Sequence, residues 1–115
     1  MNPIPLVDLK AQYQAHKQEF DDAIAGCLAQ TSFIGGPDHE AFAAEFAEWC
    51  GGGHVALVGN GTDALTLALK EILGPSDGVG EVITASHTFI ATGGAISAAG
   101  YRPVFVEVDA ETCLM

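Results

Sequence analysis

The residues best suited to chemistry lie in one short segment, residues 59–64, whose sequence is GNGTDA. The segment follows a short apolar run, residues 54–58, and precedes apolar residues at helical spacing, so it predicts a tight turn between a strand and a helix. Glycines at such a turn let a ligand approach the backbone closely, and the free N–H groups at a helix start favour a phosphate. The segment therefore predicts a phosphate cradle, although two glycines would also suit a turn that binds nothing.

The same segment fits the loose dinucleotide fingerprint G-x-G-x-x-A, which makes a Rossmann-type dinucleotide-binding fragment an alternative. That fold holds the ribose with an acidic residue at the far end of the second strand. Glu81 lies at the right distance along the sequence, but at the start of the predicted strand, and residues 85–87 at the far end carry no acid. The dinucleotide site is therefore the minor alternative.

The elements that position this segment follow from the hydrophobic pattern. Helices are predicted over residues 8–50, as one amphipathic helix over residues 8–30 and a second that starts at Pro37. A βαβαβ unit is predicted over residues 54–108, with strands at 54–58, 81–85 and 103–108, a helix after the cradle, and a helix over 89–99 with candidate N-caps at 86–88. This order favours an α/β fold with a mostly parallel sheet and flanking helices.

Composition excludes several classes of function. The chain of 115 residues carries 15 Asp and Glu against 4 Lys and Arg, a formal charge of −11, so we expect no nucleic-acid partner. No apolar run approaches the roughly 18 residues of a membrane span, and the N-terminus lacks the pattern of a signal peptide, so we expect no membrane partner and a cytoplasmic protein.

No metal site is predicted either. The three cysteines form no Cys-x-x-Cys pair, and the four histidines form no His-x-x-x-His pair and have no carboxylate at ligand spacing.

Four blocks of sequence together resemble the N-terminal part of the DegT/DnrJ/StrS family of sugar aminotransferases. They are FIGGP at 33–37, NGTDAL at 60–65, EVITASHTFIAT at 81–92, and the stretch 100–109, which contains PVFVEVD. The resemblance implies that residues 1–115 are a partial domain, the N-terminal part of the large domain of the aspartate-aminotransferase-like fold of transferases that use pyridoxal 5′-phosphate.

The resemblance also implies a function. The family uses pyridoxal 5′-phosphate to move an amino group from glutamate to a nucleotide-linked keto-sugar in amino-sugar and polysaccharide biosynthesis, and it acts as a homodimer. By the family's motifs, Gly61, Thr62 and Asp63 wrap the cofactor phosphate, mainly through the N–H groups of Thr62 and Asp63 and the Thr62 hydroxyl. Phe89 lies against the pyridine ring.

No catalytic residue is assigned within the chain. The family's Schiff-base lysine lies downstream of the last matching block, so we expect the nucleophile beyond Met115 and no transamination by the 115-residue chain alone. Family members with histidine at that position catalyse dehydration of the sugar instead. From a different class, a non-catalytic acidic α/β interaction module could use the same units as a scaffold.

Overall fold

The computed structural model describes residues 4–115. Two compact units divide the chain, one ending at Val55 and the other running from Ala56 to Met115. In chain order the described elements are α1 (Leu9–Ala15), α2 (Lys17–Gln30), α3 (Pro37–Trp49), α4 (Gly61–Leu73), β1 (Glu81–Ala85), α5 (Ile90–Ala98) and β2 (Arg102–Val106).

The predicted helix over residues 8–30 is wrong in one respect, because the structure breaks it at His16. That residue has φ −121° and ψ 23°, between α1 and α2. Its N–H donates to the carbonyl of Tyr13 at 3.2 Å, a three-residue step that tightens the end of α1. The Tyr13 hydroxyl donates to Asp21 of α2 at 2.7 Å, and the ammonium of Lys17 pairs with the same carboxylate. These polar contacts accompany a break that hydrophobic spacing does not reveal.

Helix α3 has the boundaries that the sequence predicts. Pro37 is its first residue, where a missing N–H costs no intrahelical hydrogen bond. Beyond the last residue, Trp49, three glycines at 51–53 have φ values of 92°, 107° and 99°, a left-handed backbone region that residues with a Cβ rarely adopt.

The second unit contains a two-stranded parallel sheet. Strands β1 and β2 pair in register from Glu81↔Arg102 to Ala85↔Val106. The predicted second and third strands are thus observed, but the third starts one residue earlier and ends two residues earlier than the predicted 103–108. The predicted first strand is wrong, because residues 54–58 form no strand. An apolar run becomes a strand only with a hydrogen-bonding neighbour, and β1 and β2 pair with each other.

Helix α5 supplies the core of this unit. Its residues Ala95 and Ile96, with Ala99 directly after it, are exposed by 5% or less. The helix packs against α4 and both strands. Its start differs from the prediction, because the N-cap is Phe89 and no side chain of residues 86–88 caps the helix.

Within residues 4–115, no helix combines the length and the apolar character that a membrane crossing requires.

Candidate functional site

The N-terminus of α4 is the centre of the candidate site. The helix begins at Gly61, directly after Asn60, whose extended backbone (φ −168°, ψ 172°) makes it the N-cap. The carbonyl of Asn60 accepts the first intrahelical hydrogen bond, from Ala64 at 3.1 Å. The N–H groups of Gly61 and Thr62 come too early in the helix to have an intrahelical acceptor. This end of a 13-residue helix therefore offers two backbone donors and the positive end of its dipole.

Asn60 and Asp63 form two hydrogen bonds with each other. The side-chain oxygen of Asn60 accepts from the Asp63 N–H at 2.9 Å. In return, the Asn60 amide nitrogen donates to Oδ2 of Asp63, also at 2.9 Å. The third N–H group of the helix is thereby already satisfied by the protein.

Three of the four predicted cofactor-binding residues line one cavity. Its volume is ≈ 550 Å³, within the range of roughly 300–1,000 Å³ that ligand sites occupy. Gly61, Thr62 and Phe89 line it, together with Ala64, Leu65, Ala91 and Thr92. Small-molecule sites are commonly apolar cavities with a few polar groups, and this one combines apolar walls with the donors of the helix start.

Phe89 is placed by the end of β1. It follows the carboxyl end of that strand by four residues, the edge at which open α/β sheets bind ligands. The residue is 76% exposed and lines the cavity, so its ring is available to a ligand. The backbone around it is fixed, because the Thr92 N–H donates to the Phe89 carbonyl at 3.0 Å and the hydroxyls of Thr88 and Thr92 are 2.8 Å apart.

Asp63 is placed differently from the other three predicted residues. It does not line the cavity of Gly61 and Phe89; instead it lines a separate concavity with Val58, Gly59, Thr66 and Leu67. Its N–H, which the family resemblance offers to the phosphate, is bonded to Asn60. The arrangement leaves the N–H groups of Gly61 and Thr62 as the backbone donors available at this helix start.

The cavity has no cationic side chain in its lining. Arg102 pairs with Glu81, the first residue of β1, while Phe89 follows the opposite end of that strand. Lys70 is in the last turn of α4, at the far end of the helix from Gly61. Backbone N–H groups and the helix dipole are therefore what this part of the chain offers an anion. Among residues 4–115, no three His, Cys, Asp or Glu side chains cluster as metal ligands.

Two contributors to the site are not singled out by sequence reasoning. Asn60 has a detectable signal, since Asn followed three residues later by an acid resembles a helix-capping pair. Thr92 lines the cavity from the first turn of α5, and neither its residue type nor its spacing marks it in the sequence.

Comparison with known proteins gives a consistent result. Residues 14–115 match the DegT/DnrJ/EryC1/StrS aminotransferase family. The chain is 47% identical over 105 residues to dTDP-3-amino-3,4,6-trideoxy-alpha-D-glucose transaminase of Streptomyces venezuelae, covering 90% of this chain and 27% of that protein. It is 43% identical over 107 residues to a UDP-N-acetyl-3-dehydro-alpha-D-glucosamine 3-aminotransferase of Acidithiobacillus ferrooxidans, covering 92% of this chain and 28% of the relative.

Two solved structures of aminotransferases also match the fold of this chain. The S. venezuelae DesV crystal structure in complex with a ketimine intermediate matches with a TM-score of 0.85 and 45% identity, over 95% of this chain and 29% of that one. A family aminotransferase from Brucella abortus matches with the same TM-score of 0.85 and 32% identity, over 96% of this chain and 29% of that one.

Three conclusions follow from these matches. The chain spans under a third of the length of the relatives named above. The α/β fold expected from the resemblance is confirmed, and the dinucleotide-binding alternative gains no support. With the match over residues 14–115, the chain belongs to the DegT/DnrJ/EryC1/StrS aminotransferase family.

Proposed function

We propose that this chain is the N-terminal part of a pyridoxal-phosphate-dependent aminotransferase that moves an amino group from glutamate to a nucleotide-linked keto-sugar. The observation that carries the proposal is the cavity shared by Gly61, Thr62 and Phe89 in a member of this family. Relatives that act on dTDP-linked and UDP-linked sugars support the substrate class.

The residues present fit the cofactor. A phosphate at the start of α4 would accept hydrogen bonds from the N–H groups of Gly61 and Thr62 and from the Thr62 hydroxyl. The exposed ring of Phe89 in the same cavity would lie against the flat pyridine ring. When bound, pyridoxal phosphate supplies an electron sink for the transfer of the amino group.

The chain's own residues would bind and orient the cofactor. Fixing the phosphate and one face of the ring sets the direction in which the reactive aldehyde points. The amine that reacts with the aldehyde would come from outside the described residues, because no lysine lines this cavity. We infer that this lysine follows Met115 in the full-length protein.

Two further properties belong to the proposal. The full-length protein would be a homodimer, as the family resemblance implies, and it would work in the cytoplasm. Analytical ultracentrifugation of the active full-length protein tests the first: a dimer is expected, and an active monomer would contradict it.

A coupled assay tests the activity itself. Purified full-length protein with pyridoxal phosphate should convert glutamate to 2-oxoglutarate only when a nucleotide-linked keto-sugar is present. An omission of the sugar is the matched control. Loss of sugar from the reaction without consumption of glutamate would instead indicate the dehydratase branch, and would contradict transamination.

A further inference from the structure

We propose that Asn60 and Asp63 are a positioning pair for the phosphate site and that neither is a phosphate ligand. Asn60 holds the Asp63 carboxylate away from the cavity while Gly61 and Thr62 present their N–H groups to it. This inference rests on the proposed function, because the anion it concerns is the cofactor phosphate.

The first observation behind this proposal is the pair of hydrogen bonds between Asn60 and Asp63. Both hydrogen bonds between the two residues are 2.9 Å, one from the Asp63 N–H to the Asn60 side-chain oxygen and one from the Asn60 amide nitrogen to the Asp63 carboxylate. With both groups occupied, Asp63 has its backbone donor and one carboxylate oxygen turned to Asn60. A phosphate would therefore meet the two earlier N–H groups of the helix.

The second observation is that the Asp63 carboxylate lies outside the cavity that contains Phe89. Asp63 lines the concavity with Gly59 and Thr66, whereas Gly61 and Thr62 line the cavity that contains Phe89. A carboxylate near a phosphate would repel it, and no cationic side chain in the lining would offset that repulsion. Holding the carboxylate in the other concavity reduces this repulsion, while the charge still favours the helix start.

The third observation is that the amide side chain of Asn60 suits both hydrogen bonds. The amide of Asn60 accepts from an N–H and donates to a carboxylate at the same time. A carboxylate at this position would accept the first bond but would repel Asp63. A serine would be a good N-cap, but its single, shorter-reaching hydroxyl lacks the separate amide group that donates to the carboxylate.

The test compares two ligands, pyridoxal phosphate and pyridoxal, which lacks the phosphate. In the full-length protein, Asn60→Ser keeps a helix cap and releases the Asp63 carboxylate. We expect the ratio of the two dissociation constants, which measures the preference for the phosphate, to fall about fivefold. A merely structural role would weaken both ligands equally and leave the ratio unchanged.

Two further variants complete the design. In the double variant Asn60→Ser/Asp63→Asn, the ratio of dissociation constants should return close to its wild-type value, because there is no carboxylate left to hold. Asp8→Ser is the matched control, since Asp8 caps α1 by the same type of bond, accepting from the Ala11 N–H at 2.9 Å. It should leave the ratio unchanged.

Each outcome decides the proposal. An unchanged ratio in Asn60→Ser overturns it, as does a loss that persists undiminished in the double variant Asn60→Ser/Asp63→Asn. A wild-type protein that binds pyridoxal as tightly as pyridoxal phosphate overturns the proposed function, and this inference with it.

Discussion

Gly93 of α5 lies against the tip of the Phe105 ring on β2. A Cβ atom at Gly93 would be 2.8 Å from Cζ of that ring, closer than real Cβ contacts, so glycine is the residue that allows this approach. Gly94, the next residue of the helix, has nothing within 4 Å of its own Cβ position. Of these two adjacent glycines, the first therefore makes the close contact and the second does not.

The neighbouring glycines make a matched experiment. Gly94→Ala should raise the free energy of unfolding by up to about 1 kcal/mol, because alanine favours a helix over glycine. Gly93→Ala has the same propensity gain, but the Phe105 ring must move, and overpacking costs about 1–3 kcal/mol. Urea denaturation should therefore find Gly93→Ala the less stable of the two. Equal stabilities would contradict the close contact.

The corner before β2 provides a second prediction. The Tyr101 hydroxyl donates to the carbonyl of Gly74 at 3.0 Å in a part-buried position, and its ring lies against Gly80. Tyr101→Phe keeps the ring and leaves that carbonyl without this donor. We expect the free energy of unfolding to fall by about 1 kcal/mol. A variant as stable as wild type in thermal and urea unfolding would show that the hydrogen bond contributes nothing.

The helices and strands with strong local signals were predictable. Pro37 and the glycines at 51–53 mark the ends of α3 by their own backbone restrictions, so one sequence suffices. The break at His16 was not predictable, because it coincides with polar contacts among side chains rather than with a change in hydrophobic spacing. The strand at 54–58 was predicted wrongly because strand formation depends on a neighbour that local sequence does not specify.

In the candidate site, too, some features are marked by local sequence and others depend on side-chain contacts. A turn motif and a family motif mark Gly61, Thr62 and Phe89 in the sequence, and the structure brings these residues to one cavity; their contact with a cofactor stays a prediction. The placement of Asp63 could not be predicted, because it depends on the rotamer of Asn60 and on the two hydrogen bonds between them. Spacing along the chain does not determine either.

Asp109 should contribute a pH-dependent term to stability. Hydrogen bonds from the backbone N–H and the hydroxyl of Thr112, and from the N–H of Glu111, lower the pKa of the Asp109 carboxyl. Because the folded-state pKa lies below the unfolded one, this stabilisation is present above the unfolded pKa of about 3.9 and is lost as pH falls through the folded pKa.

A pair of variants at position 112 tests this pKa. Thr112→Val removes the hydroxyl donor and should raise the pKa of Asp109 toward its ordinary value, as measured by NMR titration of the carboxyl carbon. Thr112→Ser retains a hydroxyl and is the control. A pKa in Thr112→Val as low as in Thr112→Ser would contradict a role for that hydroxyl.

Gly61 offers a way to separate folding from binding. A Cβ atom at this position meets nothing within 4 Å, and Gly61 lines the cavity. In the full-length protein, Gly61→Val should therefore fold, while its side chain hinders the approach of the phosphate to the helix start. We expect most of the bound cofactor to be lost on dialysis. Gly26→Val is the control, since Gly26 is also a helical glycine with nothing within 4 Å; full cofactor retention by Gly61→Val would contradict the proposed site.

We propose that this chain carries the phosphate-binding and ring-binding part of a pyridoxal phosphate site whose reactive amine lies outside the described residues. Borohydride reduction of the full-length protein with pyridoxal phosphate, followed by peptide mass spectrometry, tests it most directly. We expect one stoichiometric adduct, on a lysine that follows Met115. An adduct on Lys10, Lys17 or Lys70, or no specific adduct at all, would contradict it.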